Sequence, residues 1–277
     1  MFRLCRKLAS EMPITIRSRG ERHARPVVRN ENIKRLLLIR NGESQANVDI
    51  AEYVHTPDWK IKLTEKGKQD CVETGKDLAK LLDREPVYFY FSPYVRSKES
   101  LVSLLDGAFS VRKLNIVGVR EDVRLRDSDM GRYDSVQQLQ QCLVEREEYG
   151  KFFYRFPHGE SGADVCDRVC SFLEAFQREK LSFPMNTNVV ILTHGLTIRM
   201  FVKRWFHLSV ETFHEMTSPA PGRPIHLLRR DARTGSFRLT DECISQLSLP
   251  TSLNRENGYE FRNKQLLGSV STGAPFL

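Results

Sequence analysis

The chain has 277 residues, 40% hydrophobic and 28% charged, which suits a soluble globular protein of one large domain or two small ones. No apolar run approaches the roughly 18 residues that a membrane-spanning helix needs, so a transmembrane reading is set aside. The formal charge of +8 is concentrated: residues 1–30 carry eight basic and two acidic side chains, leaving 35 basic and 33 acidic beyond them, so a broad basic face for a nucleic-acid duplex is not indicated.

The basic arm opens with "MFRLCRKLAS", in which Phe2, Cys5, Leu8 and Ala9 can line one side of a short helix beside Arg3, Arg6 and Lys7. Arg-rich, acid-poor and amphipathic is the composition of a mitochondrial targeting segment, and a matrix location is expected, with a cytoplasmic one as the alternative. A plain basic tail, or an arm that docks on RNA or a ribonucleoprotein, is the other reading. Six cysteines form no CxxC pair, and Cys166 and Cys170 have no second pair nearby, so reduced, packed thiols are expected and a zinc site is not.

After the arm, Lys34 to Ile39 ("KRLLLI") predicts a buried strand, and a loop follows through Pro57. Thr64 can cap a helix that begins "EKGKQDCVETG" and runs through Leu82. Pro86 to Ser92 is β-branched and aromatic, a second strand, and a helix starts near Arg96. Leu114 to Val119 is a third strand. Two further helices are expected over Ser135–Phe153 and Gly162–Lys180. Asn188 to Thr193 is the most apolar strand and leads directly into a helix from His194. A late hairpin is expected around Thr234–Gly235. Strands alternating with helices predict an α/β fold, a three-layer sandwich with a mostly parallel central sheet flanked by helices. One domain is expected over 31–246. The Ser-, Asn-, Gly- and Thr-rich segment 247–277 is expected to be a partly disordered or docking extension.

Ligands of such sheets bind beyond the carboxyl ends of the strands. The first strand delivers Arg40-Asn41-Gly42, the second Ser92-Pro93-Tyr94 and then Arg96, and the last apolar strand His194-Gly195. Singly, a post-strand arginine is a surface ion pair and a histidine before glycine is a satisfied loop residue. Together, two guanidiniums and an imidazole at three strand ends make an anion pocket, because arginine grips phosphate with a planar fork of donors.

The segments "LIRNGESQAN", "LTEKGKQDC", "FYFSPYVRSKES", "FPHGESGADVCDRV" and "VVILTHGLTIR", in this order, resemble the histidine phosphatase superfamily, in its phosphoglycerate mutase-like branch and a plant and fungal subgroup of it. The resemblance spans about 33–240. It implies a phosphate pocket in which Arg40, Arg96 and His194 bind phosphoryl oxygens and Asn47 lies near the phosphate, with no cofactor and no metal. It also implies a nucleophilic histidine and a glutamate acid. Asn41 stands at the first position and Asp127 at the second.

An imidazole offers a ring nitrogen with a free lone pair, whereas the nitrogen of an asparagine amide is conjugated with its carbonyl. Loss of a nucleophile from a preorganised site costs roughly 10⁴–10⁶-fold in rate. Asp127 is still an acid but one methylene shorter. His55 and His158 lie on loops away from the strand end where attack begins. The expected protein is therefore a catalytically impaired pseudoenzyme that binds a phosphorylated small molecule or phosphate, or serves as a structural subunit of a larger assembly, with protein partners met through its two extensions. The alternative is an active phosphomonoesterase seen with its histidine changed to asparagine, a phosphatase rather than a mutase, since no clear basic cluster for a second phosphate stands out.

Overall fold

The computed structural model describes residues 32–222, 226–230 and 237–254. The basic arm, the turn at Thr234–Gly235 and most of the C-terminal extension lie outside the described residues. The chain runs through β1 (Ile33–Arg40), the short helices α1 (Gln45–Val48) and α2 (Glu52–His55), and a 3-10 turn at Asp58–Lys60. It continues into α3 (Glu65–Leu82), β2 (Pro86–Phe91), α4 (Val95–Val111), β3 (Asn115–Glu121) and a second 3-10 turn at Val123–Leu125. Then come α5 (Val136–Tyr149), α6 (Gly162–Glu179), β4 (Thr187–Thr193), α7 (Gly195–Phe206) and α8 (Val210–Glu215). The strands β5 (His226–Arg230) and β6 (Phe237–Leu239) and the helix α9 (Asp241–Gln246) close the fold.

The sheet order is β3-β2-β4-β1-β5-β6. β1 pairs parallel with β4, and β2 parallel with both β4 and β3. β5 and β6 add antiparallel. Successive side chains of a strand point to opposite faces, and β1 uses this fully. Leu36 and Leu38 pack on one side with Phe172 and Phe176 of α6 and Phe201 of α7. Leu37 and Ile39 pack on the other with Leu78 and Leu82 of α3 and Leu104 of α4. The sheet is thus covered on both faces, as its nearly continuous apolar strands predict. Each such side chain contributes roughly 1.5–3 kcal/mol of burial.

The third strand runs Asn115–Glu121, two residues beyond its expected end, and two larger differences stand out. α5 stops at Tyr149, not Phe153, because Gly150 takes φ of +107° and turns the chain out of the helix. The apolar core continues past residue 246: Leu247, Leu249 and Leu253 are buried in the cluster under α6 and α7, so the proximal part of the expected extension belongs to the folded body. The loop expected through Pro57 holds α1 and α2, and a 3-10 turn follows it directly, each too short to show a helical period.

Candidate functional site

Adjacency of β2, β4 and β1 brings their carboxyl ends side by side. The backbone N–H of Asn41 bonds Thr193 O at 2.8 Å, and that of Ser92 bonds Leu192 O at 3.1 Å, so the three ends are tied as one surface. The loop after β1 sits against the start of α3. Thr64 caps that helix by accepting from the Gly67 N–H at 2.9 Å. A Cβ on Gly67 would stand 2.2 Å from Glu43 O, and one on Gly42 2.6 Å from Gly67 O, so glycine allows this backbone-to-backbone approach.

Arg96, in the first turn of α4, is 2% exposed. Its Nη1 donates to the carboxylate and to the carbonyl of Asp58, both at 2.7 Å, and its Nη2 to Asp127 at 3.1 Å. The Tyr94 ring lies 4.7 Å from its guanidinium. Burial opposes the Arg96 charge, but Asp58 and Asp127 more than offset it and raise its pKa. The carboxyls respond differently. Burial pushes Asp58 up to about 6 in spite of Arg96. Burial also works on Asp127, but His194, Arg96 and the Ser128 N–H outweigh it and hold that carboxyl down to about 2.

His194 caps α7 at the end of β4 and is fully buried. Its Nε2 shares a 2.7 Å hydrogen bond with Ser92 Oγ, and its Nδ1, 3.4 Å from Asp127 Oδ2, has no hydrogen-bond partner. Burial pushes its pKa down to about 3, so the ring is neutral at physiological pH. Arg40 donates to Pro219 O at 2.6 Å, and burial lowers its pKa. Asn41 is buried, and its amide donates to Gly42 O at 2.8 Å.

Arg40, Asn41, Arg96, Asp127 and His194 are thus brought to one sheet edge. Asn47 lies on α1, shortly after this strand end, where it is exposed and its Oδ1 accepts from the Ser44 N–H at 2.9 Å. A cavity of about 420 Å³ opens over the site, with Arg40, Tyr53, Asp58, Asp127, Arg146 and Arg199 in its wall. Arg96, His194 and Asn41 do not line it, and Arg96 is reached behind the carboxylates of Asp58 and Asp127. A second cavity of about 530 Å³ shares Tyr53, Asp58 and Met130 with the first and adds Trp59, Tyr94 and Tyr133. The first space carries four basic and three acidic side chains and the second is richer in aromatic rings, so the pair can take a charged head and a less polar body. His55 and His158 line the second cavity.

Sequence reasoning missed Asp58, whose separation from Arg96 gives no local signal, and Arg168. Arg168 on α6 donates to the carbonyls of Arg124, Arg126 and Asp127 at 2.7, 2.8 and 3.0 Å, and to Glu160. It clamps the segment that presents Asp127.

Residues 36–238 match the model of the histidine phosphatase superfamily (branch 1). The chain is 42% identical over 198 residues to phosphoglycerate mutase-like protein AT74 of Arabidopsis thaliana, a match covering 67% of this chain and 62% of that protein, so it spans less than two thirds of that relative's length. It is 27% identical over 282 residues to the broad-range acid phosphatase DET1 of Saccharomyces cerevisiae, covering 70% of this chain and 84% of that one. Among solved structures, YhfR of Bacillus stearothermophilus superposes with a TM-score of 0.57 at 21% identity, covering 76% of this chain and 96% of that one. A mycobacterial glucosyl-3-phosphoglycerate phosphatase superposes with a TM-score of 0.55 at 20% identity, covering 75% and 97%. These likenesses carry the fold.

Proposed function

The chain belongs to the histidine phosphatase superfamily, and from that premise we propose that it is a pseudoenzyme: a binder of phosphate monoesters whose phosphoryl transfer is disabled. The observation that carries this is an amide, Asn41, at the strand end where Arg40, Arg96 and His194 gather. A phosphoenzyme needs a nitrogen lone pair that attacks phosphorus as the ester P–O bond breaks, and an acid that gives the leaving oxygen its proton. The amide nitrogen of Asn41 has no such pair, and its N–H is engaged by Gly42 O. Asp127, held near pKa 2, carries no proton to give at neutral pH. Arginine forks and a buried imidazole suffice for binding.

The alternative, a phosphomonoesterase whose histidine has been changed to asparagine, draws support from the assembled binding groups and from the phosphatase named among the relatives. One experiment separates the two. p-Nitrophenyl phosphate hydrolysis is measured for the protein and for Asn41→His, with orthovanadate binding followed by quenching of Trp59, which lines the aromatic cavity and is half-exposed. Vanadate binding without turnover is expected, and turnover by the unaltered protein at phosphatase rates overturns the binder reading. Strong gain in Asn41→His identifies a poised phosphatase blocked at one residue. The Arg-rich arm adds a mitochondrial location and a role in an assembly to the proposal; a reporter fused to residues 1–30 that stays cytosolic removes the location.

A further inference from the structure

The turn Phe156-Pro157-His158-Gly159 follows a pattern whose third position suits glycine. Proline stands second, the Gly159 N–H bonds Phe156 O at 2.9 Å, and the third residue takes φ of +59°. These are the features of a type II turn, which favours glycine there because a Cβ is strained at positive φ. In this chain the residue is histidine. The surroundings hold the turn in place. The Glu160 N–H bonds Asp129 O at 2.7 Å, and a Cβ on Gly131 would stand 2.1 Å from Pro157 O. Strain of this kind persists where the surrounding structure enforces it, and it clusters at ligand sites.

His158 is exposed, and its side chain makes no hydrogen bond or ion pair among the described residues. It lines the larger cavity, of about 530 Å³. His55, at the end of α2, lines the same space and is also exposed. Trp59 is the third flat ring there. It is 53% exposed although the Lys60 ammonium lies 5.0 Å from its centroid. Tyr94 and Tyr133, both buried, add apolar surface to the wall. The charged groups of this wall are bonded within the protein or lie at solvent. Asp58 bonds Arg96, Asp129 accepts from the Gly131 N–H at 2.9 Å, and Arg132 is exposed. What three separate segments bring together here is planar ring surface, and such surface favours other rings.

We propose that His158 determines ligand specificity: with Trp59 and His55 it receives the body of the phosphate monoester, and that body is a planar aromatic ring. The two cavities share Tyr53, Asp58 and Met130, so an ester whose phosphate lies at Arg40 places its alcohol part among these rings. A flat ring offers them faces and edges to stack on, which a puckered body of equal size does not. The inference rests on the reading of the sheet-edge pocket as a phosphate site and names the class of ester that site takes.

Isothermal titration of the full chain with three phosphonates tests it, because their P–C bond survives any turnover. Methylphosphonate supplies the head alone, benzylphosphonate adds a flat ring, and cyclohexylmethylphosphonate adds a puckered ring of similar size. Ring contact predicts that benzylphosphonate binds at least about tenfold more tightly than methylphosphonate, and about threefold to tenfold more tightly than the puckered probe. In His158→Gly the preference for the flat ring over the puckered one disappears while methylphosphonate affinity is retained. The melting temperature of that variant stays level or rises, because the strain at positive φ is gone. His158→Asn, which also accepts this backbone, shows the same loss and serves if His158→Gly does not fold. Equal affinity of the unaltered protein for flat and puckered probes overturns the aromatic body, and an unchanged flat-ring preference in His158→Gly overturns the role of His158; both leave the phosphate site standing. A lower melting temperature with weaker binding of all three probes makes His158 a structural residue and overturns its role as well. Binding of no probe by the unaltered protein overturns the phosphate site, and the inference with it.

Discussion

Asp58 occupies Arg96 as a ligand would, and Asp58→Asn removes that competition. The carboxylate and the carbonyl of Asp58 each lie 2.7 Å from the same guanidinium nitrogen. A charge-assisted hydrogen bond of this kind contributes about 1.5–3 kcal/mol, so a ligand that must displace the carboxylate loses about tenfold to hundredfold in affinity. The carboxyl keeps its proton up to about pH 6, against an ordinary 3.8. A folded pKa above the unfolded one means that the contribution to stability is full below the unfolded value and is lost as pH rises through the folded one. The loss amounts to at most about 3 kcal/mol. Asn resembles the protonated acid, so Asp58→Asn should be more stable than the parent near pH 8 by up to about that amount, and equal to it near pH 4. Sulfate, a dianion across this range, is the binding probe, because its own charge does not change. Its affinity for the parent should rise about tenfold between about pH 8 and pH 5, while Asp58→Asn binds tightly and evenly throughout. Parallel pH slopes in the two proteins, or no gain of affinity at pH 8, refute the idea that Asp58 guards Arg96.

Asp127, held to about 2, contributes stability that is present above the ordinary 3.8 and lost as pH falls toward 2, about 2 kcal/mol in all. Urea titrations of Asp127→Asn should therefore show a deficit near neutral pH that closes in acid; a constant deficit refutes the assignment. Gly67→Ala puts a methyl 2.2 Å from Glu43 O and should displace the loop bearing Arg40 and Asn41, costing about 1–3 kcal/mol and weakening sulfate binding, both absent if the loop is not fixed there. Arg168→Met leaves the carbonyls of Arg124, Arg126 and Asp127 without this donor. Calorimetric melting should register a loss of about 3 kcal/mol, and an unchanged melting temperature removes the clamp from the account.

The sheet was legible because its strands announce themselves: "RLLLIR", "VYFYF" and "NVVILT" are apolar enough to be buried on both faces, and each ends on the residue that carries a charge or an imidazole nearby. The site was legible where strand ends place it, at Arg40, Arg96 and His194. It was opaque where helices and turns converge from distant segments. Nothing local marks Asp58 as the partner of a buried arginine, because a three-residue 3-10 turn has no period to detect. Arg146 and Arg199 look like ordinary charges on amphipathic helices until the fold sets both in the wall of one cavity. The leucines at 247, 249 and 253 were hidden by the polar residues around them, since a core contact made by single spaced side chains leaves no run.

The bonding of Asn41 separates what the position does for architecture from what it does for chemistry. Its backbone N–H ties β1 to β4 through Thr193 O, and any residue but proline can supply that bond. Its side chain touches the polypeptide by one hydrogen bond, to the neighbouring carbonyl. Under the proposed reading, exchange at Asn41 changes the group offered to a ligand and leaves the backbone bond between β1 and β4 in place.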